Sequence, residues 1–111
     1  MPRQSVRADL RSITVDIVPS CLRYRILLFP SERRRFFPAY KSDFILESNL
    51  RPRLAHVTGA ESPNVPIEDR GRYVCGRSRE WYDFNRVRVG DRVRVKQLEW
   101  HRRYRISKLP R

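Results

Sequence analysis

Apolar residues along this chain recur at every second position far more often than at helical spacing. Ile13, Val15 and Ile17 alternate with Thr14 and Asp16, a period of two that predicts a half-buried strand. Pro19-Ser20 reads as its end. Tyr24, Ile26 and Leu28 alternate next, with Arg23 and Arg25 opposite, and Pro30 stops that second strand. Phe44–Glu47, Leu54–Thr58 and Tyr73–Cys75 are short apolar runs with polar flanks, and each reads as a strand. Val87 and Val89 precede a Gly90-Asp91 turn. Val93 and Val95 then alternate with Arg92, Arg94 and Lys96. Trp100-His101-Arg102 reads as a turn, after which Tyr104, Ile106 and Leu109 form a last strand.

Between these runs lie two other kinds of segment. Gly59 to Gly71 has prolines, an Asn and no periodicity, and reads as a loop. Arg77–Arg86 sets Trp81, Tyr82 and Phe84 among charges and has room for one short helix. The first dozen residues are polar and read as a tail. About seven short strands separated by turns predict a small mostly-β barrel or sandwich. At 111 residues the chain is sized for one domain.

Charge changes the picture most. Lys and Arg number 25 against 12 acidic residues, giving a formal charge of +13. That balance favours a polyanionic partner, of which nucleic acid is the commonest. All but Lys41, Lys96 and Lys108 of the bases are Arg. A planar guanidinium matches phosphate and the guanine edge in two-pronged fashion. Codon bias accounts for the ratio of Arg to Lys equally well, but not for the net charge. No run approaches the roughly 20 apolar residues of a membrane span. No secretory signal pattern precedes the first strand, so a cytoplasmic location is expected.

The residues offer little for catalysis. His56 and His101 have no nucleophile elbow near them, and Cys21 and Cys75 form no CxxC. The two thiols read as buried and reduced. The four glycines make no phosphate loop. No catalytic residue, metal site, cofactor or small-molecule substrate is expected.

Two loops carry chemistry suited to binding. Ser31-Glu32-Arg33-Arg34-Arg35 follows the strand ending at Pro30 and precedes Phe36-Phe37-Pro38. Three adjacent arginines anchored by two phenylalanines predict a rigid cationic projection. Glu32 adds an acceptor for cytosine N4, useless against phosphate. In the second loop, Arg77-Ser78-Arg79-Glu80-Trp81-Tyr82-Asp83, arginine and carboxylate again alternate beside bulky aromatics. Trp81 and Tyr82 read as core plugs more readily than as base-stacking platforms. Arg86, Arg88, Arg92, Arg94 and Lys96 add a basic stripe able to track a nucleic-acid backbone.

The order of these pieces resembles a known family. It consists of the strand ending near Pro30, the Phe36-Phe37-Pro38 plug, and Phe44-Ile45-Leu46-Glu47. Gly71-Arg72-Tyr73-Val74-Cys75-Gly76, Arg79–Asp83, Val89-Gly90-Asp91-Arg92-Val93 and Tyr104-Arg105-Ile106 follow. The set is similar to the B3-like DNA-binding domains that serve as specificity modules in some restriction endonucleases, and more distantly to plant B3 transcription-factor domains. It covers about residues 22–109; residues 1–21 are read as an N-terminal tail with room for an extra strand, and 22–111 as the domain.

The resemblance implies a seven-stranded open pseudobarrel with one or two short helices, gripping the DNA major groove with two arms. Carried over by position, the N-arm is Ser31, Glu32, Arg33, Arg34 and Arg35, with Lys41 steadying the backbone. The C-arm is Arg77, Ser78, Arg79, Glu80, Trp81, Tyr82 and Asp83. The implied partners are double-stranded DNA and a nuclease domain or subunit. An RNA-binding β-barrel of translational type, and a structural subunit meeting an acidic protein, stay open as other readings of the same charge.

Overall fold

The structure is a computed structural model and describes residues 11–59, 64–76 and 78–110. Most of the expected tail, residues 1–10, and Arg77 of the second loop lie outside the described residues.

The alternating runs do become strands. β1 (Ser12–Asp16), β3 (Asp43–Glu47), β4 (Arg53–Thr58), β5 (Tyr73–Gly76), β6 (Arg92–Glu99) and β7 (Arg103–Lys108) each turn alternate residues inward. With β2 (Leu27–Leu28) they make one seven-stranded sheet in the order β1-β6-β7-β3-β4-β5-β2. All neighbours are antiparallel except β3 and β7, which run parallel with Leu46 opposite Tyr104. The sheet curls until β1 and β2 approach each other across a seam, giving the expected open pseudobarrel. Inside it pack Val15, Ile17, Phe44, Val57, Val93, Val95 and Tyr104, all almost fully buried. Phe37 sits at the centre of an aromatic cluster, with ring centroids 4.9 Å from Phe29 and 5.3 Å from Tyr104.

The region around Pro19 departs from expectation. Where alternation predicted a strand over Tyr24–Phe29, the chain forms helix α1 (Pro19–Tyr24) and then only the two residues of β2. Pro19 opens the helix instead of merely ending β1, because its fixed φ and missing N–H suit a first turn. Arg25 closes it in the left-handed conformation, φ 56° and ψ 50°. The apparent period of two arose by chance across a helix end, and Tyr24 is left exposed.

Val87 and Val89 lie outside any strand. Val87 is buried and Val89 is exposed in the turn that precedes β6. That turn is set by Asp91, whose buried carboxylate accepts the Arg88 N–H at 2.8 Å. Gly90 N–H donates to Ile17 O at 2.9 Å, and Ile17 N–H donates to Asp91 O at 2.9 Å. The Gly-Asp turn therefore clasps the end of β1.

Helix α2 (Arg79–Phe84) forms within the segment expected to hold one. A 3-10 helix spans Ser31–Phe36, and a 3-10 turn spans Ile67–Asp69. Both cysteines are free thiols; Cys21 is buried as expected, whereas Cys75 is half-exposed.

Candidate nucleic-acid interface

Pro30 ends the extended chain after β2, and a 3-10 turn begins at once. In a 3-10 helix, residues three apart stand over one another, so three consecutive arginines cannot all face solvent. Arg34 turns inward and is 5 % exposed, where the sequence predicted a projecting charge. Its Nε donates to Arg70 O and its Nη1 to Pro38 O at 2.9 Å, with Phe37 O at 3.4 Å. Burial pulls its pKa below the ordinary arginine value, opposed by Asp69 and then Tyr104.

Arg34 is thus a clamp, tying the 3-10 helix to the 64–72 segment. Gly71, at φ 113°, lets the backbone pass beside it, since a Cβ there would run into the Val57 side chain. What remains outward is Ser31, Glu32, Arg33 and Arg35. Arg35 pairs with Asp69 at 3.3 Å, both groups well exposed. Arg33 and Glu32 have no side-chain partner among the described residues. Lys41 is exposed in a left-handed turn, φ 64°, with Nζ 5.3 Å from the Tyr40 ring centroid.

The second segment is fastened differently. Trp81 and Tyr82 plug the core, 4 % and 1 % exposed, with rings edge-to-face at 5.5 Å. The Tyr82 hydroxyl donates to Ile26 O, and burial pushes its pKa well above the usual tyrosine value. Ser78 is buried, leaving Arg79, Glu80, Asp83 and Phe84 outward. Glu80 is paired with Arg53, and Asp83 with Arg25 at 3.2 Å. Both carboxylates of this segment are therefore already engaged by cations from neighbouring elements.

Because β2 and β5 are antiparallel, with Leu27 opposite Val74 and Leu28 opposite Tyr73, the two segments leave the sheet at opposite ends. Beside Arg79, the end of α1 adds Arg23, Tyr24 and Arg25 around an open hollow floored by Gly76 and Ser78. Sequence reasoning missed Arg23 and Arg25 because it placed them on a strand.

Arg92, Arg94 and Lys96 alternate outward along β6, as the period of two requires. Across from them on β1 stand Asp16, Thr14 and Ser12. None of the three cations has an ion-pair partner within 4 Å among the described residues. On the other side β7 contributes Arg105, opposite Lys96, though it leans 3.6 Å from Glu47. Arg105 was not singled out in the sequence; its place in the Tyr104-Arg105-Ile106 alternation was the available signal. Arg86 and Arg88 are exposed in the turn before β6.

No family model matches the sequence, and no curated protein matches it. Among solved structures, the chain superposes on that of the Arabidopsis FUS3–DNA complex with a TM-score of 0.66. The two are 14 % identical, and the match covers 88 % of this chain and 95 % of that one. At this identity the likeness is one of architecture: the chain shares its pseudobarrel fold with a plant B3 domain.

Proposed function

We propose that this chain is a sequence-specific double-stranded DNA-binding module without catalysis of its own. The observation that carries the reading is the fold, held in common with a protein solved as a DNA complex. The unanswered cations of β6 support it, because a protein that neutralises phosphates gains affinity by releasing condensed counterions. Arg92, Arg94 and Lys96 fit that role. They position the module without reading sequence.

Reading falls to the two exposed segments. Arg33 and Arg79 have no ion-pair partner among the described residues and can reach guanine O6 and N7, and Glu32, likewise without a partner among them, suits cytosine N4. Glu80 and Asp83 join by exchanging exposed ion pairs, which hold by only about 0–1 kcal/mol. The finer setting is that of a target-recognition module working beside a cytoplasmic nuclease, as in restriction endonucleases with B3-like domains.

Selection from a random duplex library, followed by sequencing, tests the function. A recurrent motif is expected, with log affinity falling against log salt at a slope near roughly −4 to −5 for about five phosphates. Absence of any enriched motif, or a slope shallower than about −1, overturns the reading. Preferential competition by single-stranded RNA would point to the translational class instead.

A further inference from the structure

Trp100 is 71 % exposed, more than any other large apolar side chain among the described residues. Its ring lies against the His101 ring, centroids 4.1 Å apart and planes within 10°. His101 is held by two contacts and a left-handed backbone. Its N–H donates to Gln97 Oε1 at 2.7 Å, its Nε2 lies 3.0 Å from Arg35 O, and its backbone is left-handed at φ 56°. Gln97 is buried, with its Oε1 3.1 Å from the Tyr104 hydroxyl oxygen. The imidazole is therefore a fixed backing. One face of the indole is covered by it, and the other meets solvent.

The charges around this turn are uneven. Arg102 is exposed next in the chain, and the His101 contact fastens the 3-10 helix bearing Arg33 and Arg35 to the same place. Glu99 is engaged by Arg103 at 3.0 Å and Asp69 by Arg35 at 3.3 Å, while Glu32, on the same 3-10 helix as Arg35, is exposed.

We propose that the Trp100–His101 pair is a stacking platform for an unpaired nucleobase adjoining bound duplex DNA. The inference rests on the DNA-binding reading and extends it to a second kind of contact. A paired base shows a protein only its edges, whereas an extrahelical base offers its π-face. An exposed ring beside Arg102 on a strongly basic chain suits such a base and its phosphate, as in proteins that hold single strands by stacking and charge. An apolar protein partner would require several adjoining apolar side chains, whereas Trp100 is followed in the chain by the exposed Arg102.

Binding to three duplexes of one sequence tests the platform: fully paired, with one unpaired adenine, and with an abasic residue in place of that adenine. Wild type is expected to prefer the adenine bulge over the abasic bulge by on the order of 10-fold. Trp100→Ala should erase that preference, and Trp100→Phe should keep most of it, because phenyl also stacks. Equal binding of both bulges by wild type, or a preference that survives Trp100→Ala, overturns the platform alone. Failure of wild type to bind even the fully paired duplex overturns this proposal together with the DNA-binding reading.

Discussion

Ser31–Phe36 and Arg79–Phe84 both combine arginine with carboxylate beside aromatic residues, yet they are fastened to the barrel by opposite means. The first buries a guanidinium, Arg34, among backbone carbonyls. The second buries two aromatic rings, Trp81 and Tyr82. Each also has a tyrosine hydroxyl pinning a backbone carbonyl: Tyr104 to Phe36 O at 2.6 Å, and Tyr82 to Ile26 O. The choice of anchor decides which charges stay available. The first segment keeps Arg33 and Glu32 unanswered. In the second, Arg53 and Arg25 answer both carboxylates and leave Arg79. A charged run therefore says little about presentation until its inward residue is known.

The largest effect is expected where an aromatic anchor is removed. Trp81→Ala should lower unfolding free energy by about 3–5 kcal/mol in urea titration, the usual cost of emptying a large aromatic site. A loss below about 1 kcal/mol would mean that α2 is not held by its rings.

Arg34 should come next. Replacing it by Ala strands the carbonyls of Arg70, Phe37 and Pro38, and should cost about 2–3 kcal/mol. Its neighbour is the control: Arg33→Ala should stay within about 0.5 kcal/mol in stability while weakening a selected duplex by about 1–3 kcal/mol. If the two variants exchange these phenotypes, the inward and outward assignments are wrong.

The two hydroxyl pins should show in alkali. Burial raises the pKa of both Tyr82 and Tyr104 in the folded protein. Above about pH 10 the unfolded chain releases protons that the folded one retains. Stability should therefore be level below that pH and fall as pH climbs toward the folded values. Tyr82→Phe and Tyr104→Phe should each cost about 1 kcal/mol at neutral pH and flatten the alkaline fall. An unchanged alkaline slope in the double variant would show that neither hydroxyl titrates with unfolding.

The smallest effects separate the carboxylates. Glu80→Gln should change stability by less than about 1 kcal/mol, as for other exposed ion pairs. Glu32→Ala should leave stability alone, strengthen binding to random duplex, and weaken binding to a selected one. Dissociation constants on both duplexes decide this. A parallel shift on the two would leave Glu32 no part in reading sequence.

Much of the fold was legible because burial on one face imposes a period of two. β1, β6 and β7 fell where that pattern placed them, and β3, β4 and β5 where short apolar runs stood between polar flanks. α1 was not legible, since six helical residues hold too few turns to show a period, and Arg23 and Arg25 flanked Tyr24 as a strand would. The inward turn of Arg34 left no trace either. Its partners are backbone carbonyls, one of them at Arg70, and carbonyls are the same whatever the sequence. The exposed ring of Trp100 was hidden for a related reason: a turn reading names the backbone shape and is silent on the side chain stacked beside it.

The parallel seam between β3 and β7 also governs when this protein can fold during its synthesis. β1 finds its partner only in β6, Ser12 opposite Lys96, and β3 finds its second neighbour only in β7, the last strand of the chain. A ribosome must deliver β6 and β7 before the sheet can close, and contacts so distant in sequence are slow to form. A nascent chain halted before Arg103 would hold β3 and β6 with bare edges facing the gap meant for β7. Such edges pair readily with strands of other chains, so premature termination before β7 should yield aggregates rather than a shortened, folded barrel.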